Sequence, residues 1–216
     1  MDKIADKTIV CYGDSNTYGA DMTIPGGRLA RRWPTILTRE LGDGYIVKEE
    51  GQNGRNISTE DSMMNTNLNG LDTLPERLQA HAPVDLLIVM LGTNDVRESY
   101  SLSPEQITQN LERLISAAPE IPAWRGDPAI LIIAPAPIEP EYAAAGRMSL
   151  IMGAGAAEKS KALNALFKDL AQSQGCYFID AAEFVTVGTV DYVHLSEDGH
   201  ELLGKAVAAF IKDNKL

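Results

Sequence analysis

Two unbroken apolar runs, Asp85-Leu-Leu-Ile-Val-Met-Leu91 and Ala129-Ile-Leu-Ile-Ile-Ala134, constrain this chain more than any other feature. A strand with one wet face alternates apolar and polar residues, whereas a strand covered on both faces does not. Unbroken strands of this kind belong to parallel sheets with helices on either side. Three more short runs, Thr8-Ile-Val-Cys-Tyr12, Tyr45-Ile-Val47 and Cys176-Tyr-Phe-Ile179, also predict strands. Between them the spacing predicts helices over 31–42, 70–81, 104–118 and 156–174. Ser103 is placed to cap the third of these, with Pro104 in its first turn. A last helix begins at Ser196 as N-cap, with Glu197 and Asp198 suited to its positive end and Leu202, Leu203, Ala206, Val207 and Phe210 at helical spacing. Strands alternating with helices along the whole chain predict one α/β domain, residues 1–216, with a mostly parallel sheet of five strands.

A chain of 216 residues can bury a full core as one unit. Its net charge of −11 argues against nucleic acid or an anionic membrane surface as partner. No run is long enough to cross a membrane, and the acidic start, Met-Asp-Lys-Ile-Ala-Asp-Lys, does not read as a secretory leader. Cys11 and Cys176 lie far apart, each in or beside an apolar run, and read as buried free thiols; a cytoplasmic setting follows as the expectation. The two cysteines are not read as a metal site. Two long connections, about 19–30 and about 135–155, are expected to form lids or contact surfaces.

In an open α/β sheet the ligand crevice lies at the carboxyl ends of the strands, so active groups should follow strands directly. Gly13-Asp-Ser15 follows the first strand, Glu49-Glu-Gly51 the second and Gly92-Thr-Asn-Asp95 the third, while Asp191-Tyr-Val-His194 precedes the last helix. Taken singly, Gly-Asp-Ser and Gly-Thr-Asn-Asp are ordinary turn strings and Asp191 with His194 an ordinary surface pair. Together they supply the parts of acyl chemistry. A serine hydroxyl needs a base, and histidine is the side chain whose ordinary pKa lies near neutral. A carboxylate three residues before the histidine can fold back onto Nδ1 and leave Nε2 free. Ser15 is therefore the candidate nucleophile, His194 its base and Asp191 the group that orients the base. The Ser15 and Gly51 N–H groups and the Asn94 amide are candidate oxyanion donors. A rival pair, Glu197 and His200, has the same spacing but falls in a helix, where it reads as a local surface contact. His81, at a predicted helix end, reads as structural.

These strings resemble the SGNH (GDSL-type) hydrolase family, named for the Ser, Gly, Asn and His at issue, over nearly the whole chain. Glu-Glu-Gly, Ile-Val-Met-Leu-Gly-Thr-Asn-Asp and Ala-Pro-Ala-Pro-Ile are similar to its small oligomeric arylesterase/acyltransferases, a subgroup that includes perhydrolases. The resemblance implies a three-layer, flavodoxin-like α/β/α fold, no cofactor, a small ester as substrate, and a homo-oligomer of the octameric type with long loops narrowing the entrance. Asn16 stands where the family usually has Leu and would alter the pocket floor. Glu49 stands where many members have Asn. Tyr18, Trp33, Arg55 and Ile138 join Asn16 as candidate pocket or rim residues, Trp33 equally as a packing residue. Three alternatives stay open at this point: a carbohydrate O-deacetylase using the same groups, a flavodoxin-like phosphate or flavin binder using the loop Gly13–Gly19, and a non-catalytic oligomeric scaffold. The binder would leave Asp191, His194 and Asn94 without a role.

Overall fold

The structure is a computed structural model and describes residues 6–60 and 66–216; the first five residues, read above as part of a non-leader start, lie outside them. The elements in chain order are β1 (Lys7–Gly13), α1 (Ser15–Tyr18), β2 (Ala20–Asp21), β3 (Gly27–Arg28), α2 (Trp33–Leu41), β4 (Tyr45–Gly51), α3 (Gly70–Gln79), β5 (Leu86–Met90), α4 (Pro104–Ala117), β6 (Ile130–Ala134), α5 (Arg147–Met152), α6 (Ala156–Gln174), β7 (Tyr177–Asp180) and α7 (Glu197–Asp213). Short 3-10 turns at Glu98–Tyr100, Ala118–Glu120, Pro140–Ala144 and Ala181–Glu183 fill several of the connections.

One sheet has the order β4-β1-β5-β6-β7, and every pairing in it is parallel. The apolar runs are unbroken because successive residues feed two different cores. Val10 and Tyr12 of β1, Leu87 and Val89 of β5, and Ile132 of β6 pack with Leu74 and Leu78 of α3, Leu111 and Leu114 of α4, and Leu163 and Phe167 of α6. Their neighbours Ile9, Cys11, Ile88, Met90, Leu131 and Ile133 pack on the opposite face with Trp33 and Leu37 of α2 and Leu203, Val207 and Ile211 of α7. Each such side chain contributes about 1.5–3 kcal/mol by leaving water. The result is the three-layer α/β/α sandwich expected from the strand and helix pattern.

The helix starts follow local chemistry. Ser103 accepts from the Gln106 N–H while the Gln106 side chain accepts from the Ser103 N–H, closing a capping box at α4. The Ser196 hydroxyl accepts from the Gly199 N–H at 3.1 Å to open α7. Four features depart from the sequence expectation. β4 runs on through Gly51, because β1 offers it a partner at every position up to Gly13, so Glu49-Glu-Gly51 lies within a strand. The 19–30 connection folds as a small antiparallel hairpin, β2 with β3, and the 135–155 connection contains α5. Both cysteines are free, but Cys176 is only half-buried, since it precedes an edge strand. Among the described residues no helix is long and apolar enough to cross a membrane.

Candidate active site

The sheet order reverses direction beside β1, the place where an open parallel sheet leaves a crevice at its carboxyl edge. β1 ends at Gly13 and β5 at Met90, so Ser15 and Asn94 follow directly from neighbouring strands. Asp14 caps α1: its side chain accepts from the Asn16 N–H at 2.8 Å. Ser15 is thereby the first residue of the helix, with no helical carbonyl four residues earlier to receive its N–H.

Opposite it, the Asp191 carboxylate folds back on its own loop. One oxygen accepts from the N–H groups of Val193 and His194, both at 3.0 Å, and the other meets the His194 Nδ1 at 2.6 Å. Burial pushes the Asp191 carboxyl up, but these bonds together with the His194 ring outweigh it and hold the group below the usual carboxylate range. An ionised carboxylate only accepts, so Nδ1 carries the ring proton and Nε2 is left as an acceptor. His194 Nε2 lies 2.8 Å from the Ser15 Oγ. Asp191, His194 and Ser15 thus form one hydrogen-bonded line, all three buried. The line opens into a cavity of about 580 Å³ walled by Met22 and Ile24 of the β2–β3 hairpin, by Met148 and Ile151 of α5, and by Val190. Asn53, Gly54, Asn94 and Arg97 supply its polar side.

Of the oxyanion candidates, Ser15 and Asn94 line the cavity and Gly51 does not. Gly51 sits under α1: a Cβ there would lie 2.2 Å from the Tyr18 nitrogen and 2.5 Å from its Cα, so glycine is needed for the helix to lie on the strand end. Gly54 reaches the cavity instead. The Arg55 N–H donates to the Gln52 carbonyl across a four-residue turn in which Gly54 has φ +82°, a position that calls for glycine. The Asn53-Gly54 dipeptide signals such a turn in the sequence.

None of the five candidate pocket residues lines the cavity, and each has other work. The Asn16 side chain accepts from the Leu195 N–H at 2.9 Å and donates to the Val193 carbonyl at 3.5 Å, clamping the two residues that flank His194. The Tyr18 ring carries the Arg28 guanidinium 4.4 Å from its centroid. Trp33 is fully buried in the α2/α7 core, and Ile138 in the core of the other face. The buried Arg55 guanidinium stacks on Tyr12 and donates to the Gly13 and Glu50 carbonyls, tying together the ends of β1 and β4. Glu49 binds Arg28 and Arg32, which anchors the base of the hairpin. The rival His200 is not a surface contact: it is 1% exposed, and its Nδ1 accepts the Trp33 N–H at 3.2 Å. Glu197 faces Arg31 at 3.9 Å. His81 meets Glu50 at 2.6 Å, behind the strand end. Among the described residues no group of three or more His, Cys, Asp or Glu side chains is arranged to hold a metal ion.

Two buried carboxyls lie beneath the site. Burial pushes Asp14 up to about 6, against the Asn16 N–H that its carboxylate accepts. Burial pushes Asp95 up to about 7, with the Asp14 charge adding to it and the Ile57 N–H opposing. Both hold protons more tightly folded than unfolded, so their contribution to stability falls as pH rises from about 4 to about 7. His200, held down at about 4 by burial, acts with the opposite sign, because the unfolded chain takes up its proton first. Asp95→Asn keeps an acceptor for Ile57 and cannot ionise. Its urea midpoint is expected to gain on that of the parent between pH 5 and pH 8; an identical difference at both pH values would show that Asp95 does not titrate there.

Residues 11–202 match the GDSL-like lipase/acylhydrolase family. The chain belongs to that family. Its solved relatives agree. A carbohydrate acetylesterase family member from Sinorhizobium meliloti is 33% identical, with 96% of this chain and 98% of that one covered and a TM-score of 0.85. A putative arylesterase from Agrobacterium tumefaciens is 32% identical over 96% and 99% of the two chains, with a TM-score of 0.84. The aryl esterase of M. smegmatis is 29% identical over 96% and 99%, also with a TM-score of 0.84. No curated protein matches the chain significantly. As a GDSL-family hydrolase, the protein is a carboxylic ester hydrolase built on the SGNH α/β fold.

Proposed function

We propose that the protein is a serine esterase for short-chain, acetyl-like or aryl esters, working through an acyl-enzyme on Ser15. The observation that carries this reading is the line Asp191–His194–Ser15 opening on an apolar-walled cavity of about 580 Å³, a volume within the usual range for small-molecule sites. Ser15 attacks the ester carbonyl as His194 Nε2 takes its proton, and Asp191 stabilises the imidazolium. The oxyanion is received by the N–H groups of Ser15 and Gly54 and by the Asn94 amide, with Gly54 taking the part expected of Gly51. His194 then gives its proton to the leaving alcohol. Water, an alcohol or a peroxide next attacks the acyl-enzyme with His194 again as base, so acyl transfer uses the same groups as hydrolysis.

A homo-oligomer is part of this reading. Ile24, Leu150 and Val190 are exposed apolar side chains close to the cavity, a surface suited to another copy. A second reading, carbohydrate O-deacetylation, is favoured by relatives whose names are carbohydrate acetylesterases. Rates on p-nitrophenyl esters from acetate to octanoate, set beside acetate release from acetylated xylan, separate the two. The short-ester reading expects kcat/KM to be highest at acetate or propionate and xylan to be a poor substrate. Efficient release from xylan with weak aryl-ester turnover would replace it with the second reading.

A further inference from the structure

We propose that Arg97 is the positioning residue of the oxyanion hole: it fixes which way the Asn94 amide faces and brings a positive charge to within one amide group of the developing oxyanion. This rests on the reading of Asn94 as an oxyanion donor. A primary amide has one acceptor oxygen and two N–H groups. The Asn94 Nδ2 donates to the Arg55 carbonyl at 3.0 Å, and the Arg97 guanidinium donates to the Asn94 Oδ1. With the oxygen and one N–H held from two different segments, the amide has a single orientation and one N–H left to face the cavity that Asn94 lines.

The hold is built into a tight turn. Arg97 lies three residues after Asn94, its own N–H donates to the Asn94 carbonyl at 3.3 Å, and its side chain also lines the cavity. The Arg55 carbonyl that holds the other end follows Gly54 directly, so one clamp sets the spacing of two oxyanion donors. A charged donor on the amide oxygen draws electron density from the nitrogen and strengthens the remaining N–H as a donor. In a site shielded from water that charge also acts on the oxyanion itself, which forms only in the transition state. The effect therefore falls on kcat more than on KM.

A purely structural Arg97 would do something different: stack beside Tyr100, 5.9 Å from its ring centroid, and steady the loop. A double-mutant cycle separates the two roles, using p-nitrophenyl acetate on the full-length protein with thermal midpoints recorded for each variant. Arg97→Met is expected to lower kcat about tenfold to a hundredfold with KM within about twofold. In an Asn94→Ala background the same change is expected to cost less than about twofold, because the group it positions is gone. Arg97→Lys keeps a cationic donor and is expected to regain most of the lost kcat, which keeps the test available if the Met variant folds poorly. An equal loss from Arg97→Met in both backgrounds, a change confined to KM, or a Lys variant as slow as the Met variant would overturn the proposal while leaving the triad intact. A fully active Asn94→Ala enzyme would overturn both this proposal and the underlying reading of Asn94.

Discussion

Replacing Ser15 by Ala is expected to lower kcat/KM on p-nitrophenyl acetate by about 10⁴-fold or more, with the thermal midpoint shifted by no more than a few degrees. The two halves of this expectation have different grounds. Among the described residues the Ser15 hydroxyl hydrogen-bonds only to His194, at 2.8 Å, and ties no strand or helix in place. Its removal costs the fold one oxygen atom at the first turn of a four-residue helix whose cap, Asp14, is untouched. For catalysis the loss is that of the covalent route itself, and what remains is the contribution of the oxyanion donors and of substrate binding. A variant with more than a tenth of the parent rate would mean that another group carries the acyl chemistry.

Asp191→Asn tests the orientation of the base and is expected to cost about 10³–10⁴-fold in kcat with little change in KM. The Asp191 carboxylate accepts three hydrogen bonds, from His194 Nδ1 and from the N–H groups of Val193 and His194. An amide can keep the two backbone bonds with its oxygen and must then turn its NH₂ group toward the ring. That favours the tautomer with the proton on Nε2, which cannot take the Ser15 proton, and it withdraws the negative charge facing the imidazolium. If His194 instead served only to fill space, the Asn variant would keep nearly full activity, and a loss below tenfold would say so.

The sheet was legible in the sequence because its cause is local. Each residue of 86–91 and 129–134 meets one of two cores, so every position is apolar and the run is unbroken. The hydrogen-bonded line Asp191–His194–Ser15 was legible for a similar reason: Gly13-Asp-Ser15 follows a strand, Asp191-Tyr-Val-His194 precedes the last helix, and the three chemical types fit together. What stayed hidden depends on close approach between distant segments. Gly51 and Gly54 are both glycines just past a predicted strand, and only the backbone of α1, 2.2 Å from a Cβ on Gly51, tells the packing glycine from the cavity glycine. Trp33, Arg55 and Ile138 look like pocket residues because they are large and near the motifs, yet the same size makes them core fillers and strand ties. Asn16 departs from the family pattern, and its amide has both ends committed to the residues on either side of His194, a link across 179 positions that no local pattern announces. His200 was misplaced on the surface because its hydrogen-bond partner, the Trp33 N–H, belongs to the start of α2.

The most direct test of the account is covalent labelling with a fluorophosphonate, a reagent that needs an activated serine beside an oxyanion hole, followed by peptide mass spectrometry and residual p-nitrophenyl acetate activity. The account predicts one phosphonyl group per chain, on the peptide containing Ser15, with activity lost in proportion to labelling and no labelling of the Ser15→Ala variant. Labelling at any other residue, or full activity in a chain labelled at Ser15, would contradict it.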